Sequence, residues 1–342
     1  MDPARFQTLS GEYQNLRIAV LGDFCLDRYL EIDPARQELS IETGLPVHNV
    51  VNVRAQPGAA GTILNNLSAL GVGAIFPIGF AGDDGEGFEL MRALESRAGV
   101  RLDHFVRTAE RRTFTYCKPL VLSPGKPPVE LNRLDSKNWS ATPPLVQKLL
   151  LEQVSRLAPT LDAIIVLDQV DVPETGVVTR SLIEALPGIA LRAANPDLFI
   201  LADSRRGLKG FPPVVFKMNA AELSTLTGAK SDLSLGELQQ VASRLARANG
   251  QRVFVSLAER GIVGAAPDGR VEHAPALPVR GEIDIVGAGD AVSANLTTAL
   301  AAGASVGEAL QVAMAAASVV IHKLGTTGTA TTTEIAGLLE RP

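Results

Sequence analysis

A short glycine-containing run near the carboxyl end of the chain has the composition of an anion-binding turn. Gly287, Ala288 and Gly289 carry almost no side chain, and a small-residue helical segment at 291–303 follows them. Backbone N–H groups at a helix start point outwards, and the positive end of the helix dipole favours an anion there. Asp290 lies in the first turn of that helix. An anion site beside a carboxylate suits phosphoryl transfer to a hydroxyl, because the first stabilises charge and the second accepts a proton.

An ordinary glycine-rich turn capped by an aspartate is the alternative interpretation, because short glycine motifs recur by chance. Other nucleotide-binding signatures are missing from the sequence. It has no Gly-x-x-x-x-Gly-Lys-Ser/Thr run, and Gly71-Val72-Gly73 lacks the third glycine of the dinucleotide fingerprint. The four histidines are scattered without metal-ligand spacing. The sequence therefore argues against a P-loop enzyme and against a dehydrogenase.

The composition is that of a large soluble globular protein. Apolar residues make up 46% and charged residues 20% of the 342 residues, which is not the balance of a disordered chain. A formal net charge of −5 without a block of Lys or Arg argues against a nucleic-acid partner. The start of the chain lacks the apolar core of a signal peptide, and no apolar run approaches the ~18 residues of a membrane span. We therefore expect no membrane partner and a cytoplasmic location.

Apolar runs that read as strands alternate with helical segments along the chain. The run at 16–21 ends at Gly22-Asp23, and later runs lie at 162–167, 198–202 and 252–257. This alternation predicts an α/β fold with right-handed crossovers and a mostly parallel sheet, whose ligands gather at the carboxyl ends of the strands. Several aspartates end or follow strands at that edge: Asp23, Asp27, Asp168 and Asp203.

Two segments do not fit the alternating pattern. Residues 29–54 and 113–134 show strand-like alternation with little helical periodicity. We expect them to form one small sheet outside the main sheet. Because exposed sheet edges need a cover, this sheet is expected to close over a ligand or to pair with a second subunit.

Four motifs together resemble those of the ribokinase-like (PfkB) carbohydrate kinases. They are Gly22-Asp23 with Asp27, the segment from Gly58 to Gly71 within a predicted helix that begins at Pro57, Met218-Asn219-Ala220-Ala221-Glu222, and the run 284–290. The likeness spans about residues 16–339 and is closest to the kinase domain of bifunctional heptose-phosphate kinases. It implies one kinase domain, 1–342, with a Rossmann-type mostly parallel sheet, helices on both faces and a small β-lid formed by about 29–54 and 113–134.

The resemblance implies an ATP-dependent kinase that transfers the γ-phosphoryl group to a hydroxyl of a sugar or sugar phosphate. Asp290 is then the catalytic base, and Gly287, Ala288 and Gly289 form the anion hole. Substrate contacts are expected from Asp27, Asp23, Gly58, Thr62, Asn66 and Asp168. Nucleotide contacts are expected from Lys217, Asn219, Glu222, Ser256, Gly261, Gly325 and Gly328, the last two in a threonine-rich loop that includes Thr326.

The resemblance also implies metal ions and a homodimer. Asn219 and Glu222 would order magnesium-bound water, and Asp284 would lie near a potassium ion. The lid would form the contact between two subunits. Two plainer interpretations stay open: a helix capping box gives the same spacing as Asn219 and Glu222, and Asp27 serves equally well to cap a turn or pair with Arg28.

The chain departs from the family pattern at several positions. Ala59, Thr62 and Ile285 stand where the family usually has Gly, Asn and Thr, and Ala258 replaces another glycine. The segment after Asp168 lacks the lysine of the sugar-phosphate kinases, which leaves Arg205 and Arg206 as the basic candidates for holding a substrate phosphate. A catalytically degenerate member that binds a sugar or nucleotide and regulates is therefore the second interpretation.

Overall fold

The computed structural model describes residues 1–192, 198–325 and 327–340, so Thr326 of the predicted nucleotide loop lies outside the described residues. The strands are β1 (Arg17–Gly22), β2 (Phe24–Ile32), β3 (Glu38–Leu39), β4 (Pro46–Val47), β5 (Val50–Ala59), β6 (Ala74–Ile78), β7 (Phe80–Gly82), β8 (Val106–Thr108), β9 (Phe114–Val121), β10 (Val129–Glu130), β11 (Leu134–Ser136), β12 (Ala163–Asp168), β13 (Phe199–Ser204), β14 (Val215–Asn219), β15 (Val253–Ser256), β16 (Ile262–Ala265) and β17 (Val271–Ala274). The helices are α1 (Pro3–Glu12), α2 (Ala60–Ala69), α3 (Gly85–Glu95), α4 (Pro144–Leu157), α5 (Arg180–Arg192), α6 (Ala220–Thr227), α7 (Leu235–Asn249), α8 (Ala288–Ala301), α9 (Val306–Ile321) and α10 (Thr332–Leu339).

The main sheet has eight strands in the order β17-β16-β15-β14-β13-β12-β1-β6. The six strands from β6 to β15 in this order are parallel, and β16 and β17 complete one edge as antiparallel strands. Every residue of β1 after Arg17 is buried, as expected for a central strand covered on both faces. The predicted α/β class with a mostly parallel sheet is confirmed.

Helices cover both faces of this sheet and create two hydrophobic cores. One core joins α2, α8 and α9 to one face, through residues such as Leu64, Leu296 and Leu310. The other lies beneath α4, α5 and α7 and includes Val154 and Leu186. The alanine-rich sequences of α8 and α9 allow close approach of these two helices, and their buried small side chains fix the position of the α8 N-terminus at the sheet edge.

A second sheet contains the two segments that the sequence assigns to a lid. Its strands run in the order β10-β9-β2-β5, and β11 also pairs with β9. Strand β2 begins two residues after β1 ends, so the chain passes from the main sheet into this second sheet at Asp23. Strand β2 pairs in parallel with β9 and antiparallel with β5. We call this second sheet the lid sheet.

The start of α2 differs from the sequence-based expectation. The sequence predicts a helix from Pro57, whereas the structure continues β5 to Ala59 and begins α2 at Ala60. Backbone pairing of Phe24 with Ala59 holds this stretch extended, and the Asn65 side-chain amide donates to the Pro57 carbonyl at 3.0 Å. The Gly58-Ala59 stretch therefore lies between a lid strand and a helix that covers the main sheet.

No helix in the described ranges is both long and apolar enough to cross a lipid bilayer.

Candidate active site

A cleft of about 300 Å³ lies between the lid sheet and the N-terminus of α8. Its wall contains four of the residues that the sequence analysis assigns to substrate or chemistry, Asp27, Thr62, Gly287 and Asp290. The lid strands and the loops after β12 and β13 supply the charged remainder. These further charged residues are Lys118, Arg133, Asp135, Lys137, Asp171 and Arg205.

The N-terminus of α8 forms the floor of this cleft. Gly287 is the N-cap residue, has a positive φ of 81° and leaves the helix without a side-chain cap. A β-carbon at position 287 would lie 2.5 Å from the Thr327 methyl, so both conformation and space require glycine. First-turn N–H groups have no partner within a helix, and an uncapped N-terminus leaves them available to an anion.

One of the three expected anion-hole donors is already engaged. The Ala288 N–H donates to the Ile285 carbonyl at 3.2 Å. In this conformation the Ala288 N–H is therefore engaged within the turn, and its contact with a ligand stays a prediction. The next two N–H groups of the turn belong to Gly289 and Asp290, and these are the positions at which an N-cap side chain would otherwise bind.

Asp290 lies in an environment that favours its protonated form. Asp290 is partly buried where it lines the cleft, and the loss of solvent around its carboxyl is the main reason why its pKa is raised to about 7. The negative charge of Asp203 also raises the pKa, whereas the positive charge of Lys217 lowers it. A carboxyl group with a pKa near neutrality is well suited to accept a proton at working pH.

A buried ion pair lies directly beneath the α8 N-terminus. The Lys217 ammonium donates to Asp203 Oδ2 at 2.7 Å, and the Ser293 hydroxyl donates to the same oxygen at 3.1 Å. The Lys217 Nζ atom is 3.3 Å from where a β-carbon of residue 289 would lie, so Gly289 leaves the ammonium close to the helix start. The structure thus places the Lys217 ammonium, paired with Asp203, beside the expected anion site.

Asp27 lies inside β2 rather than in a loop, and its carboxylate faces the cleft. It is 8% exposed, and burial raises its pKa while the positive charge of Lys118 opposes that effect. A β-carbon at Gly58 would lie 2.5 Å from Asp27 Oδ2, which explains the glycine on the neighbouring strand. Neither simple alternative applies, because Arg28 pairs with Glu89 at 2.7 Å and Asp27 lies within the continuous strand β2 rather than at a turn.

Three expected substrate contacts belong to the scaffold instead. Asp23 is 3% exposed and accepts backbone N–H groups from Gln169, Val170 and Val177, so it holds the loop after β12. Asp168 is 1% exposed and accepts from Ser204 and Arg206. Asn66 is fully buried and donates to the Thr62 carbonyl within α2. Burial of these side chains overrides the polarity that made them candidates.

The predicted nucleotide residues gather at the carboxyl ends of β14 and β15. Asn219 and Ser256 are paired across these two strands. Asn219 and Glu222 form a complete capping box, with reciprocal bonds of 2.9 and 2.7 Å, which accounts for their spacing, and their contact with magnesium-bound water stays a prediction. Burial raises the pKa of the Glu222 carboxyl.

Three glycines of the same group occupy turns, Gly261 after β15 and Gly325 and Gly328 after α9. Gly261 and Gly325 have positive φ values of 93° and 70°. A β-carbon at Gly328 would meet the Lys323 side chain at 2.9 Å. Structural need alone therefore explains these glycines, and their nucleotide contacts stay predictions.

Both alanines that replace family glycines keep a conformation suited to glycine. Ala59 and Ala258 each have a φ of 52°. Such values cost an alanine about 1–2 kcal/mol relative to glycine. The methyl group of Ala59 also belongs to the cleft wall, so this strain lies at the site itself.

Asp284 precedes the α8 turn and stabilises it locally. Its carboxylate accepts the Val286 N–H at 3.0 Å, and its own N–H donates to the Ile321 carbonyl at 2.8 Å. The neighbouring Ile285 is 73% exposed and contributes no ligand oxygen from its side chain. The expected potassium ion near Asp284 stays a prediction.

The sequence analysis missed the cleft residues of the lid. Lys118, Arg133 and Lys137 reach the cleft only because β9 and β11 pair beside β2. Their spacing in the sequence carries no motif. Only the parallel pairing of β2 with β9 identifies these residues as part of the cleft. Local sequence patterns do not show a contact between segments so far apart in the chain.

Comparison with known proteins agrees with this geometry. Residues 200–333 match the model of the pfkB family carbohydrate kinases. The chain is 30% identical over 331 residues to the Bifunctional protein HldE of Azorhizobium caulinodans. The aligned region covers 96% of this chain and 66% of that protein. This chain therefore spans just under two thirds of the length of that relative.

Solved structures show the same fold at lower identity. The Arabidopsis thaliana ribokinase complexed with ribose and ATP superposes with a TM-score of 0.68 at 18% identity, covering 96% of this chain and 99% of that one. Escherichia coli phosphofructokinase-2 in complex with substrates and products superposes with a TM-score of 0.69 at 20% identity, covering 95% of this chain and 100% of that one. The ribokinase-like fold is thus confirmed. Residues 200–333, which include Lys217 and Asp290, thus match the pfkB family of carbohydrate kinases, and the similarity to HldE extends over nearly the whole chain.

Proposed function

We propose that the protein transfers the γ-phosphoryl group of ATP to a hydroxyl group of a sugar or sugar phosphate. The observation that carries this proposal is the placement of two carboxylates, Asp27 and Asp290, in one cleft whose floor is an uncapped helix N-terminus. Asp27 would bind a hydroxyl of the acceptor and Asp290 would accept the proton of the reacting hydroxyl. The helix start would stabilise the negative charge that develops during transfer.

The residues at the carboxyl ends of β14 and β15 fit a magnesium nucleotide. No group of three or more His, Cys, Asp or Glu side chains in the described ranges is arranged to hold a metal. Magnesium in kinases is bound mainly by phosphate oxygens and water with one or two carboxylates, which suits a site that offers Glu222 alone. Lys217 would contact the phosphates, and bound ATP with magnesium would supply the phosphoryl group and neutralise its charge.

The outer end of the cleft supports a phosphorylated acceptor. Three cations there, Arg133, Lys137 and Arg205, face only two carboxylates, Asp135 and Asp171. Arg206 takes no part, because it pairs with Asp168 at 2.8 Å. We therefore favour a sugar phosphate, of the kind a heptose phosphate represents, with its phosphate near Arg205.

The lid sheet supports a homodimer. Its strand β5 exposes Val50 and Val51, and the preceding pair of short strands, β3 and β4, exposes Leu39, Ile41 and Leu45, with Ile41 fully exposed. Strand β5 forms an edge of that sheet, and a second copy of the same edge would cover these side chains. Sedimentation should give a dimer that Ile41→Asp converts to a monomer, and a monomeric wild type would remove this part of the proposal.

A catalytically degenerate regulator is less well supported, because Gly287, Gly289 and Asp290 are all in place at the helix start. Because the reaction consumes ATP, we also propose that the protein acts in the cytoplasm. The decisive assay measures ADP release with magnesium and potassium over a panel of sugars and sugar phosphates, including heptose phosphates. Turnover that depends on one acceptor supports the proposal. Tight binding of ATP or a sugar without turnover would favour the regulator, and omission of potassium tests the expected monovalent cation.

A further inference from the structure

A lysine of the lid lies beside the acceptor-binding aspartate. Lys118 is on β9, where it pairs in register with Tyr29 of β2. Its ammonium is 3.6 Å from Asp27 Oδ1 and 3.4 Å from the Tyr29 hydroxyl. The two charged side chains are only 16% and 11% exposed, and both line the cleft.

The contact between these two groups leaves both of them able to bind a ligand. A separation of 3.6 Å is a charge contact that exceeds the usual length of a hydrogen bond. Asp27 offers only acceptors and Lys118 offers only donors. A sugar hydroxyl is both donor and acceptor, so one hydroxyl can donate to Asp27 while its neighbour accepts from Lys118.

The residue at position 62 makes such a donor necessary. Thr62 lines the same cleft with a single hydroxyl, where an asparagine would offer an amide able to bond two sugar hydroxyls. Lys118 enters the cleft from the opposite, lid side with three donor hydrogens. The structure therefore contains a donor that replaces the missing amide, placed next to the carboxylate it must work with.

We infer that Lys118 is a second acceptor-recognition residue, which together with Asp27 binds two neighbouring hydroxyl groups of the sugar. This inference rests on the proposed kinase function and specifies how its acceptor is chosen. An acceptor with a vicinal diol at this position is favoured, and an analogue that lacks one of the two hydroxyls loses one of the two contacts.

The test compares wild type with Lys118→Met and Lys118→Gln on the acceptor that the panel identifies. Hydrogen bonds to charged groups are typically worth enough to change binding about 10–100-fold, so the acceptor KM of Lys118→Met should rise by that factor. The KM for MgATP should stay within about twofold, and kcat should change less than the acceptor KM. Lys118→Gln, which keeps a donor, should recover part of the loss.

A matched control is Lys126→Met, in an exposed turn of the same lid that does not line the cleft. It should leave both KM values unchanged. Combining Lys118→Met with Asp27→Asn should cost less than the product of the two single effects, because the residues bind one diol. Thermal melting and MgATP affinity show whether each variant is folded. If Lys118→Met does not fold, Lys118→Gln is used in its place.

The outcomes separate the two levels of the proposal. An active wild type with an unchanged acceptor KM in both Lys118 variants overturns the role of Lys118 and leaves the kinase function intact. A wild type that neither phosphorylates nor binds any panel member overturns the proposed function and this inference with it. Equal loss of acceptor and MgATP affinity would show that Lys118 only supports the fold.

Discussion

Replacement of Asp290 by asparagine should separate catalysis from stability. The asparagine side chain has nearly the same shape as the aspartate it replaces but no ionisable group, so Asp290→Asn removes only the proton acceptor. General-base contributions are typically 10²–10⁴-fold, and turnover should fall by about that factor. The helix start should stay intact, because Asp290 lies within the first turn and does not cap the helix.

The raised pKa gives this variant a second, opposite effect. The folded protein binds a proton on Asp290 up to a pH of about 7, whereas the ordinary carboxyl value is 3.8. The native state therefore holds more protons than the unfolded state between these values, and stability falls as the pH rises from the lower value through the higher one. Because the cleft lets solvent reach the carboxylate, the full shift overstates the cost, and we expect about 2 kcal/mol at pH 8.

Two measurements check this prediction. In wild type, kcat/KM for the acceptor should rise about tenfold between pH 6 and pH 8, since the deprotonated fraction of Asp290 grows from about a tenth to about nine tenths. Urea denaturation should show Asp290→Asn to be the more stable protein at pH 8 and the two proteins to be equal near pH 4.

Other groups also titrate near neutrality, including phosphate groups of the substrates. The residual activity of Asp290→Asn provides the control, because it should lose the step near pH 7. If that step persists in the variant, it belongs to another group. If Asp290→Asn keeps most of its turnover, or is no more stable than wild type at pH 8, the assignment of Asp290 as a base with a raised pKa is refuted.

Three further predictions follow from the described contacts. Lys217→Met should lower the free energy of unfolding, measured by urea denaturation, by about 3–5 kcal/mol, because it leaves Asp203 buried without its cation. It should also move the step in the pH profile of kcat/KM to higher pH, because the Lys217 charge lowers the pKa of Asp290. An unchanged pH profile would show that Lys217 does not influence the titration of Asp290. Glu222→Gln should lower magnesium-dependent turnover more than acceptor affinity, and equal loss of both would argue against a role near magnesium. Ala59→Gly should raise the free energy of unfolding by about 1 kcal/mol by relieving a φ of 52°, whereas the control Ala60→Gly, within α2, should lower it; a destabilised Ala59→Gly would show that the backbone there is unstrained.

The sequence predicts the fold well because its signals are local. Buried β-branched runs such as Leu16–Leu21 mark central strands, and the glycines around Ala288 mark a helix start. Individual site roles depend on burial, which local patterns do not report. Asp23 and Asp27 look equivalent four residues apart, yet one holds a backbone loop and the other faces the cleft.

The same limit applies to residues that meet from distant parts of the chain. Lys118 lies near Asp27 only through pairing of β9 with β2. The ion pair of Lys217 with Asp203 joins the ends of two neighbouring strands, and the types of the two residues do not predict that they pair. Tertiary pairing, which sequence periodicity does not specify, decides these contacts.

The position of β1 in the main sheet has a consequence for how the chain folds. One neighbour of β1 is β6, where Arg17 pairs with Ala74, but the other is β12, whose flanking Asp162 lies 145 residues beyond Arg17. The lid sheet and α2 to α4 are synthesised in between. Pairing between such distant segments is slow, because loop-closure entropy is lost before the contacts form. During synthesis one edge of β1 therefore stays unpaired until β12 has been made. The first half of the chain is thus the part that most needs protection from aggregation.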